Sequence, residues 1–160
     1  MNTHLITIIT IAGAKYLIFL IVVLAGVSWL KLPRDKKWEM AKAAMIAFPL
    51  AFVLARIASL LYYDPRPFVH FQFVPLIPHA ADNGFPSDHA LLSSALAAWV
   101  YLFNRKHSYV LWVLAILVGI ARVVAGVHSP IDILGSALIA IGATWVASVA
   151  LRRFSARSKA

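Results

Sequence analysis

Three short stretches hold most of the side chains in this sequence that could do chemistry. They are Asp64-Pro65-Arg66-Pro67-Phe68, Gly84-Phe85-Pro86-Ser87-Asp88-His89, and Arg122 followed by His128, Ser129-Pro130 and Asp132. Ser87 stands where the N-cap of a helix belongs, so free N–H groups and the positive end of the helix dipole would face an anion such as phosphate. His89 would stand one turn inside. His128 and Asp132 are four residues apart, with Pro130 suited to a first helical position. That spacing lets the carboxylate reach the imidazole around a helix start, fix its tautomer and stabilise the charge it acquires. Two arginines, two histidines, a supporting aspartate and a helix N-terminus amount to a phosphate site with a nucleophile and an acid. The arginine fork suits two phosphate oxygens and offsets the charge that builds up in phosphoryl transfer. Simpler readings stay open at this point. Pro86-Ser87-Asp88 can merely start a helix, and Asp132 can merely cap one with Ser129, although the second reading leaves Arg122 unexplained. No spacing among His70, His79 and Asp82 marks a metal site, and arginines beside a metal would oppose it. Chemistry without metal or cofactor is expected.

The elements that must position these residues are membrane helices. The 160 residues are 62% hydrophobic and 13% charged, with a mean hydropathy of +0.83, well above the apolar share of about 45–50% in soluble domains. Stretches of roughly 20 apolar residues are needed to span, and five candidates fit: 14–31, 40–61, 88–104, 109–126 and 130–151. Before them, Leu5 to Ala12 is too short to span and is followed by Gly13, which predicts a short helix at the membrane interface. A signal peptide is the competing reading, but no Lys or Arg precedes this stretch and no cleavage pattern follows it, so the N-terminus is expected to stay. The predicted fold class is all-α, a polytopic membrane bundle of about five transmembrane helices with that short interfacial helix, forming one domain over residues 1–160.

The net charge of +9 does not point to nucleic acid, because the basic residues sit in short clusters between apolar runs. Lys31, Arg34, Lys36, Lys37 and Lys42 lie between the first two spans, Arg105 and Lys106 between the third and fourth, and Arg152, Arg153, Arg157 and Lys159 at the end. By the positive-inside rule these segments are cytoplasmic. The segments 62–87 and 127–129, which carry the reactive residues, then face the other side of a cell membrane. Lys15 can snorkel to an interface as an anchor. Arg56, inside the second span, needs a partner within the bundle. Aromatic residues including Trp29, Trp38, Trp99, Tyr101 and Trp112 gather toward span ends as an interfacial belt. Cysteine is absent, which excludes disulfides, thiolate metal sites and a cysteine nucleophile.

Arg66-Pro67, then Pro86-Ser87-Asp88-His89, then Arg122 to His128 to Asp132 resemble, in order and spacing, the three motifs of the type 2 phosphatidic acid phosphatase superfamily, which includes vanadium haloperoxidases. Ser59 stands where that pattern has a lysine, Asp88 where it has a glycine, and Ala121 where it has a serine. Arg56, one helical turn from Ser59 on the same face, is the candidate replacement for the lysine. The run Ile77 to Ala90 with its Asp88 looks like the undecaprenyl-diphosphate phosphatases of the bacitracin-resistance type. The resemblance implies that His128 attacks phosphorus to form a phosphohistidine, that Asp132 holds His128, and that His89 protonates the leaving oxygen and later activates water. It also implies that Arg66, Arg122, Ser87 and the Asp88 backbone N–H hold phosphate oxygens. The implied substrate is undecaprenyl diphosphate, cleaved to the monophosphate and phosphate outside the cytoplasm so that the lipid carrier of cell-wall (peptidoglycan) synthesis is recycled. Other lipid phosphates (phosphatidylglycerophosphate, phosphatidic acid, lipid A) and a non-enzymatic anion transporter are the alternatives. Oligomeric state is not readable from the sequence.

Overall fold

The computed structural model of the chain describes residues 3–157, so Lys159 of the closing basic cluster lies outside it. Six helices follow in order: α1 (Thr3–Leu30), α2 (Arg34–Leu61), α3 (Pro67–His70), α4 (Asp88–Tyr101), α5 (Arg105–Val124) and α6 (Pro130–Arg157). Four of them, α1, α2, α5 and α6, are long and apolar enough to cross a membrane.

Two expectations about the spans change. The stretch from Leu5 to Ala12 is no separate interfacial helix but the first turns of a continuous α1. Gly13, read as a break, instead marks a close approach, since a Cβ there would come within 3.0 Å of the Ala121 side chain on α5. The third span is also shorter than 88–104. α4 has 14 residues, a rise of about 21 Å at ~1.5 Å per residue, against a hydrocarbon core of about 30 Å. Its surroundings explain why this suffices. α4 packs against α1, α2, α5 and α6 and is buried over most of its circumference, so protein rather than lipid satisfies it along its length.

Small residues let the long helices approach. Ala43, Ala47, Ala51 and Ala55 recur every fourth residue on α2 and are all buried, as are Ser136, Ala140, Ala143, Thr144 and Ala147 on α6. Close packing of this kind drives helix association where lipid supplies no hydrophobic force. Nearer the end that carries the 31–42 and 104–107 segments, Ile21, Ala25, Met40, Leu96, Trp99, Val100, Leu111 and Val118 form a larger core. Trp99 belongs to this core rather than to an interfacial belt: it is buried and donates its indole N–H to the Met40 carbonyl at 2.9 Å.

At the opposite end, residues 62–87 fold back over the α5–α6 turn. Phe68 N–H donates to the Gly126 carbonyl at 3.2 Å and Leu76 N–H to the Ala125 carbonyl at 3.0 Å. Gly126 makes the turn possible. Its φ of +78° lies in the left-handed region, and a Cβ would sit 2.5 Å from the Phe73 ring, so both the backbone and the space call for glycine.

Candidate active site

The α5–α6 turn delivers His128 between two arginines. Arg122, in the last turn of α5, places Nη2 3.2 Å from His128 Nε2, and Arg66, just ahead of α3, places Nη1 3.4 Å from the same nitrogen. On the other side of the ring, Nδ1 stands 3.1 Å from Asp132 Oδ2. These neighbours fix the tautomer. A guanidinium can only donate and a carboxylate can only accept, so the proton belongs on Nδ1 and the lone pair of Nε2 faces the arginines. A neutral imidazole with its free nitrogen between two cations has the geometry that nucleophilic attack on an anion would require.

Asp132 performs both of the tasks that the sequence left as alternatives. Its Oδ2 accepts the Ser129 N–H at 2.8 Å, which caps the start of α6, while also holding His128. Ser129 Oγ in turn donates to the Asp64 carboxylate. The surroundings of Asp132 are close-packed: a Cβ on Gly84 would lie 2.9 Å from Asp132 Oδ2 and 3.1 Å from the Asp64 carbonyl.

Arg66, Arg122, His128 and Asp132 are 5%, 4%, 3% and 0% exposed. Burying cations is costly unless they find partners, and the two arginines differ here. Arg66 is well held: Nε pairs with Asp82 at 2.7 Å, Nη1 donates to the Val127 carbonyl at 2.8 Å and Nη2 to the Asn83 carbonyl at 3.3 Å. Arg122 keeps a buried Nε with no partner among the described residues, and the buried Ser87 Oγ and Asp132 Oδ1 lack one too. Ser87 is the N-cap residue of α4 as expected, yet its side chain makes no capping bond. A buried donor without a partner is costly, and of these groups Arg122 borders a cavity in which a ligand could meet it.

Arg66, Arg122 and His128 border a cavity of about 190 Å³ whose lining also includes Arg56, Ser59, His79, Asp88 and His89. Thus every residue proposed from the sequence borders the cavity or, for Ser87 and Asp132, bonds to or flanks a residue that does. Arg56 forms an ion pair with the Asp88 carboxylate. Ser59, where the family pattern has lysine, is occupied structurally, accepting from Asn83 Nδ2 at its carbonyl (2.9 Å) and hydroxyl (3.2 Å).

Four residues at the site were not assigned a role from sequence. Asn83 ties the loop together by accepting the Asp64 and Phe85 N–H groups and donating to Ser59 and Tyr62 carbonyls. An Asn-Gly pair such as Asn83-Gly84 favours a turn, a local signal that does not reveal a hub. Asp64 and Asp82 are the carboxylates that hold Ser129 and Arg66. His79 stacks edge-on to His128 with ring centroids 5.9 Å apart. Among the described residues, no group of three His, Asp or Glu is placed to hold a metal ion.

Electrostatics favour the neutral form of His128. Burial lowers the His128 pKa below its ordinary value; the Asp132 hydrogen bond raises it, and Arg122 and Arg66 lower it further, leaving a net lowering. His79 is lowered as well, by burial first and then by Arg66, Arg122 and His128. Asp82 is held below the ordinary carboxylate value chiefly by its hydrogen bond to Arg66.

The sequence pattern of the PAP2 superfamily matches residues 38–155. The chain is 36% identical over 129 residues to the bacitracin transport permease protein BcrC of Bacillus licheniformis, an alignment covering 80% of this chain and 63% of that protein. It is 42% identical over 89 residues to the undecaprenyl-diphosphatase BcrC of Bacillus subtilis (strain 168), covering 56% of this chain and 46% of that protein. The matched region therefore spans less than two thirds of either relative. The crystal structure of Aquifex aeolicus LpxE superposes with a TM-score of 0.64 at 24% identity, covering 91% of this chain and 93% of that one, which shows a shared fold.

Proposed function

This chain is a multi-pass membrane protein of the PAP2 superfamily, and from that premise we propose that it is a lipid phosphatase cleaving undecaprenyl diphosphate to undecaprenyl phosphate and phosphate. The observation that carries the reading is the convergence of Arg66 and Arg122 on His128 Nε2 while Asp132 holds Nδ1. The arginines draw the terminal phosphate in and oppose the charge that develops as it transfers. His128 Nε2 attacks that phosphorus, the P–O bond to the bridging oxygen breaks, and His89 gives the leaving oxygen its proton. His128 then carries the phosphoryl group as a phosphohistidine, its charge balanced by Asp132. His89, now neutral, takes a proton from water, whose oxygen attacks phosphorus and releases phosphate and free His128. Ser87 and the Asp88 N–H complete the grip on the phosphate. Cationic guanidiniums on both sides of the nucleophile disfavour a metal ion there, so the reaction is metal-independent.

The polyprenyl class is supported by the name of the B. subtilis relative and by the apolar helices around the site, which leave the lipid chain in the bilayer while its phosphates reach the polar end. The basic residues gathered at the opposite end support a non-cytoplasmic active site and a role in regenerating the lipid carrier for cell-wall synthesis. The test is phosphate release by the full chain in detergent, with chelator present, from undecaprenyl diphosphate, phosphatidylglycerophosphate, phosphatidic acid and a lipid A phosphate. Preference for the polyprenyl substrate is expected. A clear preference for a glycerolipid would sink the substrate assignment, and loss of activity with chelator would sink the metal-free mechanism.

A further inference from the structure

Arg56, the candidate replacement for the missing family lysine, and Asp88, itself a departure from the family pattern, meet in one ion pair, and we propose that Arg56 makes the site prefer a diphosphate over a monophosphate, with Asp88 as a latch on it that the second phosphate displaces. The inference rests on the reading of the site as a phosphatase. Two cationic compartments are distinguishable. Arg66 and Arg122 are buried around His128 and fit the phosphoryl group that transfers. Arg56 stands apart from them at the mouth of the same cavity, its side chain 45% exposed and its partner Asp88 69% exposed.

The surroundings of Arg56 suit a second phosphate on its way to a lipid chain. Its guanidinium lies 5.2 Å from the centroid of the Phe52 ring, and Phe52 lines an apolar groove with Phe48, Leu91 and Leu92 that adjoins Asp88. Arg56 therefore sits where polar cavity and apolar groove meet. A substrate with one phosphate is satisfied by the inner arginines. A diphosphate must place its second, leaving phosphate between the inner site and its lipid, which is the position of Arg56. Ser59 cannot serve there, because it is engaged with Asn83.

Asp88 supplies the switching element. Without substrate its carboxylate neutralises Arg56; the second phosphate competes with it, and because an exposed ion pair is weakly held, Arg56 exchanges one anion for the other. Asp88 thus masks Arg56 until a second phosphate displaces it, which weakens binding of the diphosphate without touching the inner site. Residues that act through a shared partner couple non-additively, which makes the idea testable by the sign of two variants.

The experiment compares kcat/KM for farnesyl diphosphate and farnesyl monophosphate, both as detergent-soluble probes, on the full chain. Arg56→Gln is expected to lower the diphosphate-to-monophosphate ratio at least tenfold. Asp88→Asn, which frees Arg56, is expected to lower KM for the diphosphate and raise the ratio a few-fold. The double variant should behave like Arg56→Gln alone, since Asp88 acts through Arg56. A merely structural ion pair would instead make both single variants lose both substrates together, and that outcome, or an unchanged ratio in Arg56→Gln, overturns the latch. If the unsubstituted protein cleaves neither probe, the phosphatase reading fails and the latch with it. Cleavage of both with no ratio change isolates the failure to the latch.

Discussion

The two ends of this bundle are made of similar residue types and differ in how those residues are partnered. Each end has arginines and a histidine near the tip of a helix. At the basic end His107 meets one neutral neighbour: Ser28 Oγ donates to the Leu24 carbonyl at 2.7 Å and so accepts from His107 Nδ1 at 2.8 Å. Lys36 pairs with Glu39 on the surface, and Arg105 lies over the Tyr101 ring. At the other end the arginines are buried, point at a single imidazole, and leave a guanidinium N–H and a serine hydroxyl without partners among the described residues. Cationic composition marks neither end as a site. Convergence of buried donors on one imidazole nitrogen singles out one of them as the candidate.

That contrast fails most directly if His128 can be dispensed with. His128→Ala is expected to abolish phosphate release, a loss of about 10⁴-fold or more, as removal of one member of a catalytic unit does. A variant retaining full turnover would remove the nucleophile from the proposal. Trapping acid-labile, base-stable phosphate on the protein during turnover, present in the unsubstituted chain and missing in the variant, checks the covalent step directly.

Asp132→Asn follows, with a loss of about a thousandfold expected, because the amide can donate to Nδ1 and favour the wrong tautomer. It also carries a pH signature. The proposed reaction needs neutral His128, whose pKa lies below its ordinary value, so the acid limb of kcat/KM for the unsubstituted protein should fall below about 6.5. Asp132 is the partner that raises this pKa, so the asparagine variant should move the limb further toward acid. Arg122→Gln, with a smaller loss of about a hundredfold, should move it the opposite way, because Arg122 lowers the His128 pKa. Shifts of the same sign in both variants would break the electrostatic account of the site.

Much of this was legible in the sequence. The long spans could be read because lipid demands continuous apolar runs, and the residues of the three motifs could be read because each sits at a helix end with fixed spacing. What was not legible depends on tertiary contact. α4 could not be seen to be short, since the helices that cover it from Ala90 to Val100 are distant in sequence; Gly13 looked like a break because its close neighbour Ala121 is far away in sequence. Trp99 looked interfacial because its partner, the Met40 carbonyl, lies on another helix. Asn83, Asp64 and Asp82 show the same limit. Nothing local distinguishes a loop polar residue that holds the arginine beside His128 from one that faces water.

The smallest expected effect tests the other end. His107→Ala removes a hydrogen bond to a neutral hydroxyl, so it should cost about 1 kcal/mol of stability, seen as a lower thermal midpoint in detergent, and change kcat/KM less than about twofold. The partners of His107 explain both numbers. Ser28 keeps its own bond to the Leu24 carbonyl when the imidazole is lost, so the fold gives up one interaction without stranding a buried charge. His107 lies at the opposite end of α5 from Arg122, with the Leu111 to Val118 core between them. An activity loss in His107→Ala comparable to that in Arg122→Gln, at temperatures well below both midpoints, would mean that the two ends are coupled through α5. The site's geometry would then depend on the basic end, and the contrast between them would be one of degree.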